Sequence, residues 1–224
     1  MSKRRSIKPW LLAVLCLCAA SLWAVTYTQP FAASHGFAPT QSGACDSSYT
    51  DNDADATDGN PVNSISSTCV GRSDNPTTTW KKSLTWEDMG VTPGNNVTLV
   101  DGAFDHSIIA RSHTSQPRVG PLTIFDSGEV ATCMASTPNE AEVTYSSGTG
   151  GTAWATQDAT GGIAPIAGCR ASNTTVVVGV GISPRTGNNA SATTQVNVDN
   201  LVLTITEVTP SARNRVIISR ILMR

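Results

Sequence analysis

The 224-residue chain is poor in the features that usually announce a function. Charged residues make up 14% of it and aromatic residues 5%. No serine stands in the G-x-S-x-G setting of a nucleophile elbow, so the most recognisable hydrolase is missing. No C-x-x-C pair occurs, and the long cysteine spacings argue against zinc. The Gly-rich stretches "SSGTGGTAW" and "DATGG" have no lysine and no helix behind them, which makes them turns rather than phosphate loops. Between His35 and Pro210, seven Lys/Arg stand against seventeen Asp/Glu, a formal charge of −10. Nucleic-acid binding depends on clustered basic side chains, so that class is excluded. The same region has no amphipathic helical run of about ten residues or more.

What the chain does have begins at its first residues. "MSKRRSIK" carries four positive charges and no negative one, and the apolar run "WLLAVLCLCAASLWAV" follows from Trp10 to Val25. A basic segment leading into a short apolar one is the layout of a secretory signal. Small residues suited to cleavage occur at Cys18-Ala19-Ala20 and at Ala32-Ala33-Ser34. The run is shorter than the roughly 20 residues of a spanning helix, and a retained anchor is the alternative. Neither Cys16 nor Cys18 lies in a lipoprotein box, since each follows a leucine. Residues 1–34 are therefore expected to be a signal peptide or N-terminal membrane anchor, and the protein to be secreted, periplasmic or on the cell surface. In such a compartment the remaining cysteines, Cys45, Cys69, Cys133 and Cys169, read as two disulfides. Three pairings are formally open, and the sequential one, Cys45–Cys69 with Cys133–Cys169, is expected.

The stretch 35–79 is polar, rich in Asp, Asn, Ser and Thr, and almost without periodicity; the first cysteine pair would tie it down. From Trp80 to residue 209 short alternating runs follow one another: "WKKSLTW", "NVTLV", "FDHSIIA", "PLTIF", "EVATCMA", "AEVTYSS", "TAWAT", "TTVVVGVGI" and "TTQVNVDNLVLTIT". Each is rich in β-branched or aromatic residues and bounded by Gly, Pro, Asn or Asp. Such spacing predicts a single all-β domain, a sandwich or a barrel. The last run holds a puzzle. Its apolar residues fall at even positions first (Val196, Val198) and at odd positions later (Leu201, Leu203, Ile205). A strand buried on one face must keep its parity. Either a β-bulge at Asp199-Asn200 inserts an extra residue, or the strand is covered on both faces.

"VDNLVLTIT" near the end, together with "MGVTPGNNVTLV" upstream, resembles the galactose-binding-like jelly-roll carbohydrate-binding modules. The resemblance covers Cys45 to Glu207. It implies an antiparallel jelly-roll sandwich whose ligand site uses aromatic platforms and polar loops at one end or on one concave face. No binding residue can be transferred position by position.

Several side chains are candidates for chemistry. Asp51, Asp53, Asp55 and Asp58 in "DNDADATDGN" form the densest set of hard oxygen ligands, suited to calcium. They depart from the EF-hand pattern, with Ala56 at the turn-glycine place and Val62 where a bidentate Glu belongs. Asp199 with another loop carboxylate is a second calcium candidate. His106 and His113 lie seven apart and need not share a face, and Asp105 beside His106 points the opposite way along a strand. Glu87, Asp88, Asp126 and Glu129 are the carboxylates that a glycosidase would need, but a small sandwich with few aromatics makes a poor cleft, so no enzyme activity is expected. Trp80 and Trp86 are the aromatics on which a sugar ring could stack, unless they belong to the core. The basic tail 210–224, "SARNRVIISRILMR" after its proline, reads as an added edge strand, a membrane-surface helix or a final packed strand. The expectation is an exported, non-enzymatic sandwich that binds extracellular carbohydrate, with Ca2+ as the one cofactor considered. The rival reading is a structural subunit of a surface layer, pilus or filament in which copies pair by strand addition through the tail or through "HGFAPTQSGA".

Overall fold

The computed structural model describes residues 22–31, 35–42, 45–53, 62–70, 77–113, 115–129, 133, 143–186 and 192–210. The described strands are β1 (Leu22–Gln29), β2 (Ala38–Ser42), β3 (Cys45–Asp53), β4 (Val62–Val70), β5 (Thr77–Thr85) and β6 (Asn96–Arg111). They continue with β7 (Arg118–Asp126), β8 (Val143–Thr144), β9 (Ala155–Ile163), β10 (Thr175–Ser183) and β11 (Thr193–Val208). All pairings are antiparallel. One sheet has six strands in the order β3-β4-β11-β6-β9, with β1 also paired to β11; the other has five, β2-β5-β10-β7-β8. The two pack as a sandwich around one cluster that includes Trp80, Trp86, Phe104, Ile124, Val178, Ile182, Leu203 and Ile205. The expected all-β, single-core architecture is thus what the chain adopts.

The parity change in the last strand is a bulge. Val196, Val198, Leu201, Leu203 and Ile205 are all fully buried in the same core. The register with β6 shifts between Asp199 and Val202, and Asn200 takes a positive φ of 47°. The extra residue returns the odd-numbered aliphatics to the face that the even-numbered ones had occupied. Asn is among the few non-glycine residues that adopt this conformation at modest cost.

Two runs that looked separate, "NVTLV" and "FDHSIIA", form the single 16-residue strand β6. Gly102 between them is not a turn. A Cβ there would lie 2.2 Å from Leu122 Cδ2, so the glycine admits a side chain from the facing sheet. Gly181 in β10 has a harder reason. An added Cβ would lie 2.6 Å from the carbonyl oxygen of Gly120 and 3.0 Å from its carbon. These are backbone atoms, which cannot swing aside. Gly181→Ala is expected to lower the unfolding free energy by about 2 kcal/mol; an unchanged urea midpoint would contradict this close approach.

The described strands of the N-terminal third, β1 to β4, are woven into the sandwich. Ala38–Ser42, inside "HGFAPTQSGA", pairs with this chain's own β5. β3 and β4 form one side of the six-stranded sheet. Cys69 is disulfide-bonded and lies opposite Cys45 in the β3–β4 register. Cys133 and Cys169 are bonded at 2.02 Å, as expected. The end of the apolar run, Leu22–Val25, lies in β1, whose Val25 and Tyr27 pack against the core. Residues 1–21 and the tail from Ser211 lie outside the described residues, as does most of the "EVATCMA" run.

Candidate functional site

The two tryptophans expected to stack on sugar are core residues, which corrects that assignment. Trp80 is 4% exposed and Trp86 is fully buried. Their indole N–H groups donate to Ser66 O at 3.3 Å and Cys169 O at 2.6 Å. Neither ring offers a face to a ligand. A sequence places the two on one side of a strand; only the opposing sheet decides that this side is interior.

Of the calcium candidates, Asp51 and Asp53 lie in β3, and Asp55 and Asp58 lie outside the described residues. Among the described residues no three His, Cys, Asp or Glu side chains come together as a metal site. Of the four glycosidase carboxylates, Asp126 ends β7 and the other three take named partners. Glu87 accepts from the Ser172 hydroxyl at 2.8 Å, and Glu129 pairs with Lys81. Asp88 accepts from Thr85 N and Oγ1 at 2.8 and 2.7 Å. Those two bonds, backbone first, hold the Asp88 carboxyl below the usual range.

His35 and His106 are structural, and His113 is exposed. His106 is buried, with Nδ1 2.6 Å from Tyr145 Oη and its ring edge-on to Phe104. Asp105 does point to the other face, where its carboxylate takes other partners. His35 plugs a ring of aromatics made by Phe31, Phe37 and Trp80, and its Nδ1 accepts from Phe37 N at 2.9 Å. Burial lowers the His106 pKa, with Asp105 opposing. Burial and then Lys82 lower that of His35. Burial also pushes Tyr145 up to about 12.

A histidine held neutral in the fold takes its proton later than in the unfolded chain. Stability is therefore intact above the unfolded value of about 6.5 and falls as pH drops below it. The thermal midpoint is expected to decline between about pH 6.5 and 5, and the His35→Gln/His106→Gln double variant to flatten that slope. An identical slope in the variant would count against this assignment.

The best-organised polar surface was not singled out by any motif. On the outer face of the six-stranded sheet, Asn197 stands opposite Ser66 and Ser107, and Asp199 opposite Asp105. Asp105 is 2% exposed and accepts from Thr156 Oγ1 at 2.5 Å and from Asn200 Nδ2 at 3.3 Å. Asn197 Nδ2 donates to Ser64 Oγ at 3.0 Å. Among the described residues the buried hydroxyl of Ser107 has no hydrogen-bond partner. From this buried row the face continues outward to accessible groups. Asn200 and Asp101 are half-buried, while Thr156, Asp158, Thr204, Thr26 and Thr28 are exposed. Register puts Thr26, Thr204 and Asp101 in one row and Thr28, Val202, Ala103 and Asp158 in the next. The bulge aims Asn200 into this group, and the buried Asp105 carboxylate fixes both Asn200 and Thr156 from below. The result is an array of hydroxyls, carboxylates and the Asn200 amide around Val202 and Ala103. It can donate to and accept from a hydroxylated ligand.

No protein-family model matches the chain. No curated protein matches it either. Among solved structures it is similar to the enzymatically active domain of tailspike protein 4 of bacteriophage CBA120, with 8% identity and a TM-score of 0.40. That match covers 79% of this chain but only 20% of the tailspike chain. It is also similar to TmCBM61, solved with β-1,4-galactotriose, at 12% identity and TM-score 0.38, over 78% of this chain and 90% of that one. The CBM22-1 xylan-binding domain of Paenibacillus barcinonensis Xyn10C matches at 12% identity and TM-score 0.36, over 86% of this chain and 98% of that one.

Proposed function

We propose that the protein is an exported, non-catalytic recognition module of the jelly-roll carbohydrate-binding type, and that it holds extracellular glycan on the outer face of the six-stranded sheet. The observation that carries the reading is the Asp105 anchor. A buried carboxylate that fixes Thr156 and Asn200 presents two polar side chains in set positions beside Asp101, Asp158 and Thr204. Pre-set donors and acceptors lose less freedom when a sugar hydroxyl binds. Cleavage at Cys18-Ala19-Ala20 would leave β1, and with it Thr26 and Thr28, in the mature protein. Cleavage at Ala32-Ala33-Ser34 would remove them. The earlier position therefore belongs to this proposal.

The test is retention of the purified protein on a panel of insoluble polysaccharides. Wild type is expected to be retained by at least one polymer. Asp158→Ala and Asn200→Gly are each expected to weaken retention about fivefold, the loss of one net hydrogen bond. Glycine at position 200 keeps the positive φ without strain while removing the amide. Trp80→Phe is expected to bind like wild type. Retention lost in Trp80→Phe and unchanged in Asn200→Gly would defeat the assignment. An EDTA arm tests whether Asp51, Asp53, Asp55 and Asp58 hold a calcium ion that supports binding.

A further inference from the structure

The two sheets differ in the sign of their charge. In the six-stranded sheet β3 holds three acids, β6 and β11 two each, and β9 one. Against these eight stands a single Lys/Arg, Arg111. The strands of the other sheet hold three Lys/Arg and one acid, Asp126. Arg111 is turned to backbone, since its guanidinium donates to the carbonyls of Ser146 and Ser115 at 2.9 and 3.3 Å. Asp158 is exposed on the outer face, and among the described residues no cation pairs with it. Its register partner is Ala103, so the half-buried Asp101 is its diagonal neighbour on β6. Such neighbours lie about 7–8 Å apart.

The same face carries an aromatic side chain. Trp154 stands one residue before β9, is half-buried, and is not among the side chains packed against the core. Thr156 points outward, because its hydroxyl reaches the outward Asp105. Alternation along the chain then puts Trp154 on that side too. One step beyond the Ala155–His106 pair, it lies beside Ser107. The Ser107 hydroxyl, fully buried on this face, has no partner among the described residues. An aromatic face and carboxylates attract the same kind of group, a cation. A neutral sugar uses the ring and the hydroxyls but leaves the Asp158 charge unanswered, and a uronate is repelled by it.

We propose that this face takes a glycan bearing protonated amines, a polymer of amino sugars, with an ammonium group on Asp158 and Asp101 and a sugar ring against Trp154. The inference rests on the reading of the face as a glycan site and narrows that reading to one substrate class. The hydroxyls of Thr156 and Thr204 and the Asn200 amide serve the neutral parts of each sugar, and the carboxylates select the amine.

The probes are hexamers of glucosamine, N-acetylglucosamine and glucose with the same linkage, titrated calorimetrically into the protein as recovered from an exporting host. Where the amines are protonated, the glucosamine hexamer is expected to bind at least about tenfold more tightly than either neutral one. The preference should vanish at a pH where the amines are neutral. Asp158→Asn keeps the shape and removes the charge. It is expected to weaken the glucosamine hexamer about tenfold and the neutral ones less than about twofold. Asp88→Asn, the same change of charge on the turn after β5, should leave all three alone. Trp154→Ala and Trp154→Leu are each expected to weaken all three about fivefold. Equal affinity for the three hexamers would overturn the amine assignment and leave the face a glycan site. So would an Asp158→Asn variant that behaves like Asp88→Asn, or an oligolysine that binds as tightly as the amino sugar. If no hexamer binds while another polymer retains the protein, the amine assignment fails alone. If nothing binds at all, the glycan reading fails with it.

Discussion

Trp86→Ala is expected to lower the free energy of unfolding by about 3–5 kcal/mol, the range for removing a large aromatic from a packed core. Trp86 is fully buried where β5 turns toward β6. Its carbonyl accepts from Met89 N and Val91 N at 3.1 and 3.0 Å, so the residue shapes the turn as well as filling the core. Its indole N–H reaches Cys169 O at 2.6 Å and ties that turn to the segment before β10. Trp86→Phe keeps most of the apolar area and loses the donor. It should cost about 2 kcal/mol less than alanine, with a residual penalty for the unpartnered carbonyl. Denaturation in urea with the two variants side by side separates area from hydrogen bond. An alanine effect below about 1 kcal/mol would place the side chain outside the core.

Removing the Cys133–Cys169 bridge is expected to have a similar effect. The two residues are 36 apart in sequence. The chain-entropy relation for a loop of that length gives about 4 kcal/mol of stabilisation through the unfolded state. Locally, Cys133 N donates to Ile124 O and Ile166 N donates to Cys133 O, both at 2.8 Å. The bridge thus holds Cys133 against β7 and the turn at Ala167–Cys169. The Cys133→Ala/Cys169→Ala variant avoids a stray thiol and should shift the urea midpoint accordingly. No shift would mean that this loop stays closed in the unfolded chain. Reduction of the wild type should reproduce the variant to the extent that the first bridge, at Cys69, survives.

The β pattern was legible because alternation is a local property. Even the bulge could be read, since its sign is a parity change in aliphatics that must share one core. What eluded a local reading depended on partners far along the chain. Trp80 and Trp86 share a face by parity, but only sheet packing makes that face interior. Gly102 looked like punctuation until Leu122 came to lie on it. Leu22–Gln29 read as the end of a leader because hydrophobicity dominates that signal, and its pairing to β11 joins residues nearly the whole chain apart. His35 sits in a stretch without periodicity, and its aromatic ring of neighbours comes from three segments. The candidate site was the least visible of all. Asp105 and Asn200 are 95 residues apart, and only Asn200 lies in a stretch that carries the family resemblance. The one available hint was the Asp-Asn pair at the parity change, which marks a backbone distortion that aims a side chain outward.

The most direct test of glycan recognition is a nuclear magnetic resonance titration of the 15N-labelled protein. The ligand is a soluble oligosaccharide from whichever polymer retains the protein. The account predicts saturable shifts of the backbone amides of Asp101, Thr156, Asp158, Asn200 and Thr204, with the Trp80 and Trp86 indole signals unmoved. Shifts confined to the turn between β5 and β6, or moving the two indoles while sparing Asn200, would contradict it.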